Sequence, residues 1–130
     1  MAGLILDSMG TIKMAVLDKA MKDIQRINAM TEQLLANSKK GSTSPTLVSG
    51  IKRNLTTLAA QLKSQFGMIS DAVTNLYVQS SRGSNDASRA RILKEGIAAI
   101  KQAIDIGYAQ TKAKHAIHRE KSPVGELPEA

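Results

Sequence analysis

The chain has 130 residues, a formal net charge of +7 and no cysteine; this is enough for one domain and excludes disulfides, thiolate metal sites and cysteine nucleophiles. Hydrophobic residues make up 42% of it, which is too many for a fully disordered chain. Aromatic residues make up only 2%, so the composition favours long helices that meet along aliphatic seams over a core built from large rings.

Two breaks rich in glycine and serine, at 41–45 and 83–86, divide the chain into three segments, and a short tail starts near Lys121. Short turns make consecutive helices antiparallel neighbours. The sequence therefore predicts one all-α domain over residues 1–120, an elongated antiparallel bundle of three long, coiled-coil-like helices. They are predicted at about 4–40, 45–82 and 86–118, with a disordered tail at 121–130. In the alternative arrangement the third helix packs on another chain.

In the first segment, apolar residues recur at steps of three and four from Ile5 to Leu34, which is the spacing of one buried helix face. Lys39 and Lys40 occupy the last turn and Gly41 follows them. Basic residues followed by glycine are typical of a helix C-terminus, so the first helix is predicted to end there.

The middle segment carries the most regular pattern. Ser44 is expected to cap its helix, and Pro45 fits the first helical position. Its apolar residues alternate steps of three and four, close to a heptad repeat, and we interpret them as a partner interface: Val48, Ile51, Leu55, Leu58, Leu62, Phe66, Ile69, Val73 and Leu76.

The opposite face of this predicted helix is polar but almost uncharged. Small neutral polar groups can pack against another helix without burying charge, so the face is either a second contact surface or an ordinary solvated one. Its residues are Asn54, Thr56, Thr57, Gln61, Ser64, Gln65, Ser70, Thr74, Asn75, Gln79 and Ser80.

The third segment opens at Asn85 or Asp86, either of which can cap a helix. Its apolar stripe comprises Leu93, Ile97, Ile100 and Ile104. Gly67 and Gly96 fall inside predicted helices, where each costs about 1 kcal/mol relative to alanine. Each of these glycines marks either a bend or a close approach of two helices.

A weak basic patch on the third segment comprises Arg89, Arg91, Lys94, Lys101 and Lys112. A basic balance favours acidic partners such as nucleic acid. Glu95 and Asp105 dilute the set, and aromatic residues for base stacking are nearly absent. Nucleic-acid binding is therefore a third hypothesis after the two given below, with weak and salt-sensitive binding expected.

The chain is poor in catalytic groups. Its two histidines, His115 and His118, could share a helix face, but two imidazoles alone make a weak metal site. The glycines match neither G-x-x-x-x-G-K-[ST] nor G-x-G-x-x-G. No serine has a plausible histidine base together with an acid that would orient that histidine, as a catalytic triad requires. We therefore predict no enzymatic activity, no metal or cofactor and no small-molecule substrate.

In outline the chain resembles the WXG100 family, small helical-hairpin proteins exported by type VII secretion, which carry W-x-G at the turn between two long helices. Val48-Ser49-Gly50 sits near the first predicted turn, with valine in place of tryptophan. The trailing Tyr-x-x-x-acid signal of that family is absent, because Ser81 follows Tyr77 and Lys112 follows Tyr108 at that spacing. The resemblance is one of shape, and it implies pairing with a helical partner and export without a signal peptide.

The favoured hypothesis is a non-enzymatic interaction or scaffold protein that acts through long amphipathic helices and is oligomeric or paired with a helical partner. The alternative is a secreted or structural helical subunit, such as a type VII secretion substrate, a filament or a phage particle component. No apolar run is long enough to span a bilayer, and no classical signal peptide is evident. We expect a soluble protein, either cytoplasmic or exported by a route that needs no signal peptide.

Overall fold

A computed structural model describes residues 6–116, and there the chain forms four helices: α1 (Ser8–Lys39), α2 (Pro45–Leu62), α3 (Gly67–Ser81) and α4 (Asp86–His115). The all-α prediction is confirmed. The prediction of three helices is wrong, because the middle segment forms two. The predicted tail at 121–130, the predicted helix ends at 4–5 and 117–118, and His118 lie outside the described residues.

The middle segment reverses direction between Leu62 and Gly67. Phe66 leaves the helical conformation at φ −139° and ψ 65°, and α3 begins at the next residue. The Ser70 hydroxyl then donates to the carbonyl of Ala59 at 2.7 Å. Residues eleven apart in one continuous helix would be separated by about 16 Å, so α2 and α3 form a tight antiparallel hairpin.

The two interior glycines have different roles. A Cβ on Gly67 would meet nothing within 4 Å, so this glycine sits at the reversal without any close neighbour. A Cβ on Gly96 would fall on the side chain of Leu76 in α3, where two of the leucine carbons lie 2.9 and 3.0 Å away. Gly96 therefore marks a close approach of α3 and α4, whereas Gly67 marks the bend.

The four helices form a ring in chain order, in which each helix packs against its two neighbours and α1 against α4 most extensively. α1 and α4 have 32 and 30 residues, or about 48 and 45 Å at the standard helical rise. α2 and α3 have 18 and 15 residues. The short hairpin therefore covers only part of the long pair.

The core is one cluster of aliphatic side chains to which all four helices contribute. Phe66, Tyr77 and Tyr108 pack only at its edge and are half-buried. The Tyr108 hydroxyl donates to Asp18 across the α1–α4 seam at 2.6 Å. Burial and the bond to this carboxylate raise the pKa of Tyr108 to about 12. The core is thus aliphatic, as the composition predicts.

The loop between α1 and α2 meets the loop between α3 and α4 at the end of the bundle opposite the α2–α3 reversal. Gly41 ends the α1 turn at φ +79°, a left-handed conformation that glycine adopts without strain. Ser44 was expected to cap α2, but its hydroxyl accepts from Asn37 instead, while its backbone N–H donates to the Asp86 carboxylate. Asn85 caps α4 through a 2.8 Å bond from the Ser88 N–H. These bonds hold the 41–44 loop against the start of α4.

Asp7 and His115 connect the start of α1 with the end of α4. The Asp7 N–H donates to the His115 carbonyl at 3.0 Å, and the Asp7 carboxylate caps α1 by accepting from the Gly10 N–H at 2.7 Å. The same carboxylate lies 3.2 Å from His115 Nδ1, and Lys13 Nζ lies 3.2 Å from His115 Nε2. A neutral imidazole satisfies both contacts, donating to Asp7 and accepting from Lys13.

The contact between Asp7 and His115 predicts a pH-dependent contribution to the free energy of unfolding. The Gly10 N–H, and then His115, hold the pKa of Asp7 below its ordinary value. Since the pKa is lower in the folded state, the contribution is present above the unfolded value and is lost as pH falls through the folded one. Asp7→Asn should therefore lower the urea midpoint at pH 7 and have a smaller effect at pH 3. Asp71→Asn, an exposed carboxylate on α3, is the control. An equal loss at both pH values for Asp7→Asn would contradict the prediction.

No helix within residues 6–116 is long and apolar enough to cross a membrane.

Candidate interaction groove

The stripe that the sequence suggested as a partner interface is used inside the chain. Val48 and Phe66 are half-buried against the core. The other seven residues have exposed fractions of 8% or less: Ile51, Leu55, Leu58, Leu62, Ile69, Val73 and Leu76. Contact of this stripe with a second chain stays a prediction, and it would require the helices of one chain to open.

The basic set of α4 does not form one continuous patch. Arg89 lies at the loop end of the bundle and pairs with Asp86 at 3.1 Å. Lys94, Lys101 and Lys112 are spaced by seven and eleven residues, which places them on one helix face. Arg91 is three residues from Lys94 and lies to the side of that face.

Acidic groups are interleaved with these lysines. Glu32 of α1 lies 3.9 Å from Lys94, and Asp105 falls on the same face of α4 as Lys101 and Lys112. The face is thus of mixed sign, which weakens its attraction for a phosphate backbone. Within residues 6–116, no three histidine, aspartate or glutamate side chains are grouped so that they could hold a metal ion.

A different surface stands out: the outward groove between α3 and α4, here called the α3–α4 groove. It is formed by two neighbouring depressions. On α3 it is lined by Met68, Ala72, Asn75 and Gln79, and on α4 by Ile92, Gly96, Ala99, Ala103, Ile106 and Gln110. Ala99 and Ala103 are one turn apart, so the two depressions adjoin along α4.

At one end of the groove, α3 and α4 approach closely because of Gly96. Leu76 of α3 fills the space that a side chain at this position would occupy. The two backbones therefore come close, and Ala72 and Ala99 add only methyl groups on either side. This end of the groove is an open depression in which Ala72, Gly96 and Ala99 lie among larger side chains such as Leu76 and Ile92.

At the other end of the groove two large apolar side chains project. Met68 is 88% exposed and Ile106 is 51% exposed, although both are apolar. They line the same depression together with Ala103 and Gln110. A single exposed apolar side chain is ordinary, but two that adjoin a hollow form a patch with a defined shape.

The groove carries almost no charge on a protein with a net charge of +7. Glu95 is the only charged side chain among the residues that line it. The groove between α1 and α2, on the opposite side of the bundle, differs, because Ile12 and Val16 there lie beside Lys19. Lys19 in turn pairs with Asp23, which also lies near Arg26. Depletion of charge at the centre of a surface is a feature of protein interfaces.

The neutral polar face noted in the sequence divides between core and surface. Asn75, Gln79 and Gln65 line the α3–α4 groove. Ser70 and Ser80 are instead buried. The sequence reading missed the α4 side of the groove entirely. Its signal was a second stripe, in which Ile92, Ala99 and Ile106 recur every seven residues.

Comparison of the chain with known protein families, with characterised proteins and with solved structures finds no match. The Val48-Ser49-Gly50 triplet lies within α2 and not in the turn before it. Function therefore has to be argued from the geometry of the surface.

Proposed function

We propose that this protein is a non-enzymatic interaction module that binds an amphipathic helix in the α3–α4 groove. The observation that carries this proposal is the pair of exposed apolar side chains, Met68 and Ile106, which line one depression and adjoin a second on a nearly uncharged face. The fold does not require apolar side chains at these two positions. Both are exposed, so a polar side chain at either one would leave the packing of the core unchanged.

The spacing of the groove residues suits a helix as the ligand. Ile92, Ala99 and Ile106 form a straight row along α4, and Met68, Ala72 and Asn75 form a second row along α3. A helix placed between two such rows presents residues at i, i+3, i+4 and i+7 to them. An occupant with apolar residues at this spacing would bury Met68 and Ile106 and leave its charged face in solvent.

Crosslinking in the host cell tests this proposal. A photoreactive amino acid placed at Ile106 should crosslink to a protein, and the same amino acid at Ile12 should not. Ile12 is the matched control, because it is 50% exposed against 51% for Ile106 and lies on α1 outside the groove. The crosslinked protein is identified by mass spectrometry and its affinity is measured with purified components.

Ile106→Glu should weaken that affinity at least tenfold, because a carboxylate would be buried without a partner. Ile12→Glu should leave it unchanged. Both variants should keep the melting temperature of the parent within a few degrees, since both positions are half-exposed. Equal crosslinking at both positions, or an affinity that depends on Ile12 and not on Ile106, would contradict the groove as the binding site.

A further inference from the structure

We propose that Met68 is a redox-sensitive modification site, at which oxidation of the thioether by a peroxide weakens helix binding in the α3–α4 groove. The inference rests on the proposed function and adds a way of regulating it. Two observations support it. Met68 is twice as exposed as any other methionine that the structure describes, and it lines the groove in which the helix is proposed to bind.

The five methionines that the structure describes differ in how far water reaches them. Met68 is 88% exposed and Met9 is 42% exposed. Met14, Met21 and Met30 are half-buried and pack against the aliphatic core. A peroxide has to reach the sulfur from solvent, so burial slows the reaction. We therefore expect Met68 to be oxidised first and Met9 second.

The surroundings of Met30 show the opposite situation to those of Met68. The Asn54 amide donates to the Met30 sulfur at 3.8 Å, and the methyl group of Met30 occupies the space beside Gly50. This sulfur is therefore shielded by α2. Met68 instead lines an open depression together with Ile106.

The modification is a two-electron oxidation of the Met68 sulfur. A lone pair on the sulfur attacks one oxygen of hydrogen peroxide, so that an S–O bond forms and the O–O bond breaks. The second oxygen leaves as water with both peroxide hydrogens, and the thioether becomes a sulfoxide. Two thiols reverse the step, because they are oxidised to a disulfide while the sulfoxide oxygen leaves as water.

Oxidation changes the surface that a bound helix contacts. The thioether is apolar, whereas the sulfoxide carries a polar oxygen that water solvates in the free protein. A helix over the groove would remove that water and place the oxygen near Ile106 and Ala103. Burial of a solvated polar atom costs free energy. Binding is therefore weakened, whereas the fold is unaffected because Met68 is exposed and lies outside the core.

Peptide mapping by mass spectrometry, after graded treatment of the purified protein with hydrogen peroxide, tests the site. Met68 should be oxidised fastest and Met9 next. The melting temperature should stay that of the parent while only Met68 is oxidised. Oxidation of Met14, Met21 or Met30 as fast as Met68 would overturn the proposal.

Crosslinking through a photoreactive amino acid at Ile106 tests the effect on binding. The purified protein is oxidised, freed of peroxide and added to an extract of the host cell. The crosslink yield should fall at least about fivefold. Methionine sulfoxide reductases with a thiol, one enzyme for each sulfoxide epimer, should restore it.

Three substitutions show whether Met68 is responsible. Met68→Leu keeps an apolar side chain of similar volume without the sulfur, so its crosslinking should survive peroxide. Met9→Leu is the matched control and should stay as sensitive as the parent. Met68→Gln should lower the yield without any oxidant, because it places a polar group in the groove. Loss of crosslinking in Met68→Leu after peroxide would assign the effect to another residue and overturn the proposal.

The two proposals fail in different ways. If position 106 crosslinks to a protein equally well before and after oxidation of Met68, the groove binds a helix and only the modification site is wrong. If position 106 crosslinks no more than position 12 in the untreated protein, both proposals are wrong.

Discussion

Leu62→Asp is expected to abolish cooperative folding at neutral pH. Leu62 is fully buried as the last residue of α2, in the aliphatic core just before the chain reverses. An unpaired carboxylate there costs several kcal/mol. The whole stability of a domain of this size is about 5–15 kcal/mol. A thermal melt by circular dichroism should therefore lose its sigmoidal transition.

Ala60→Asp is the matched control for this prediction. Ala60 lies on the same helix two residues earlier and is exposed. The substitution should cost less than about 1 kcal/mol, the difference in helix propensity between alanine and aspartate. If Leu62→Asp melted like the parent, the assignment of Leu62 to the core would be wrong.

Gly96→Val is expected to give the second largest effect. A Cβ at this position falls on the Leu76 side chain, within 3.0 Å of three of its carbons, and valine adds two methyl groups beyond it. Overpacking of this kind costs about 1–3 kcal/mol, offset in part by the gain in helix propensity over glycine. The urea midpoint should fall accordingly, and the separation of α3 from α4 should open the groove.

A double-mutant cycle isolates the cause. Leu76→Ala removes the atoms that a side chain at position 96 would meet, so Gly96→Val should cost much less in that background than in the parent. Ala99→Val, one turn along α4 and exposed, should change stability by less than about 0.5 kcal/mol. If Gly96→Val were as well tolerated as Ala99→Val, the close approach of α3 and α4 would be wrong.

The number of helices shows where the sequence pattern stops being informative. The apolar stripe passes through Leu62, Phe66 and Ile69 at steps of four and three, so its period is the same whether the chain continues or turns back. Only Gly67 signalled a reversal, and the sequence equally allowed a close helix contact there. The bond from Ser70 to Ala59 resolves the choice in favour of a hairpin.

The α3–α4 groove could not be predicted from the sequence for a related reason. The second stripe of α4 can be read from the spacing of Ile92, Ala99 and Ile106. Its exposure cannot, because that depends on the length and position of α3. If the middle segment were the single helix that the sequence predicts, it would cross α4 along a different path. It would then cover other residues of α4 than α3 does.

The sequence by itself determined the all-α class, the end of α1 near Lys40, the start of α4 at Asp86 and most of the buried aliphatic side chains of α2, α3 and α4. On the first half of α1 its prediction was wrong, because Met9 and Ile12 of the predicted apolar face are 42% and 50% exposed and Leu17 is buried in their place. The features predicted correctly follow from caps, glycine stops and helical periodicity, which act over a few residues. The tertiary structure decided where the chain reverses and which apolar side chains remain in water. Both depend on which helices end up adjacent, and the free energy of burying a stripe is the same whichever neighbour covers it.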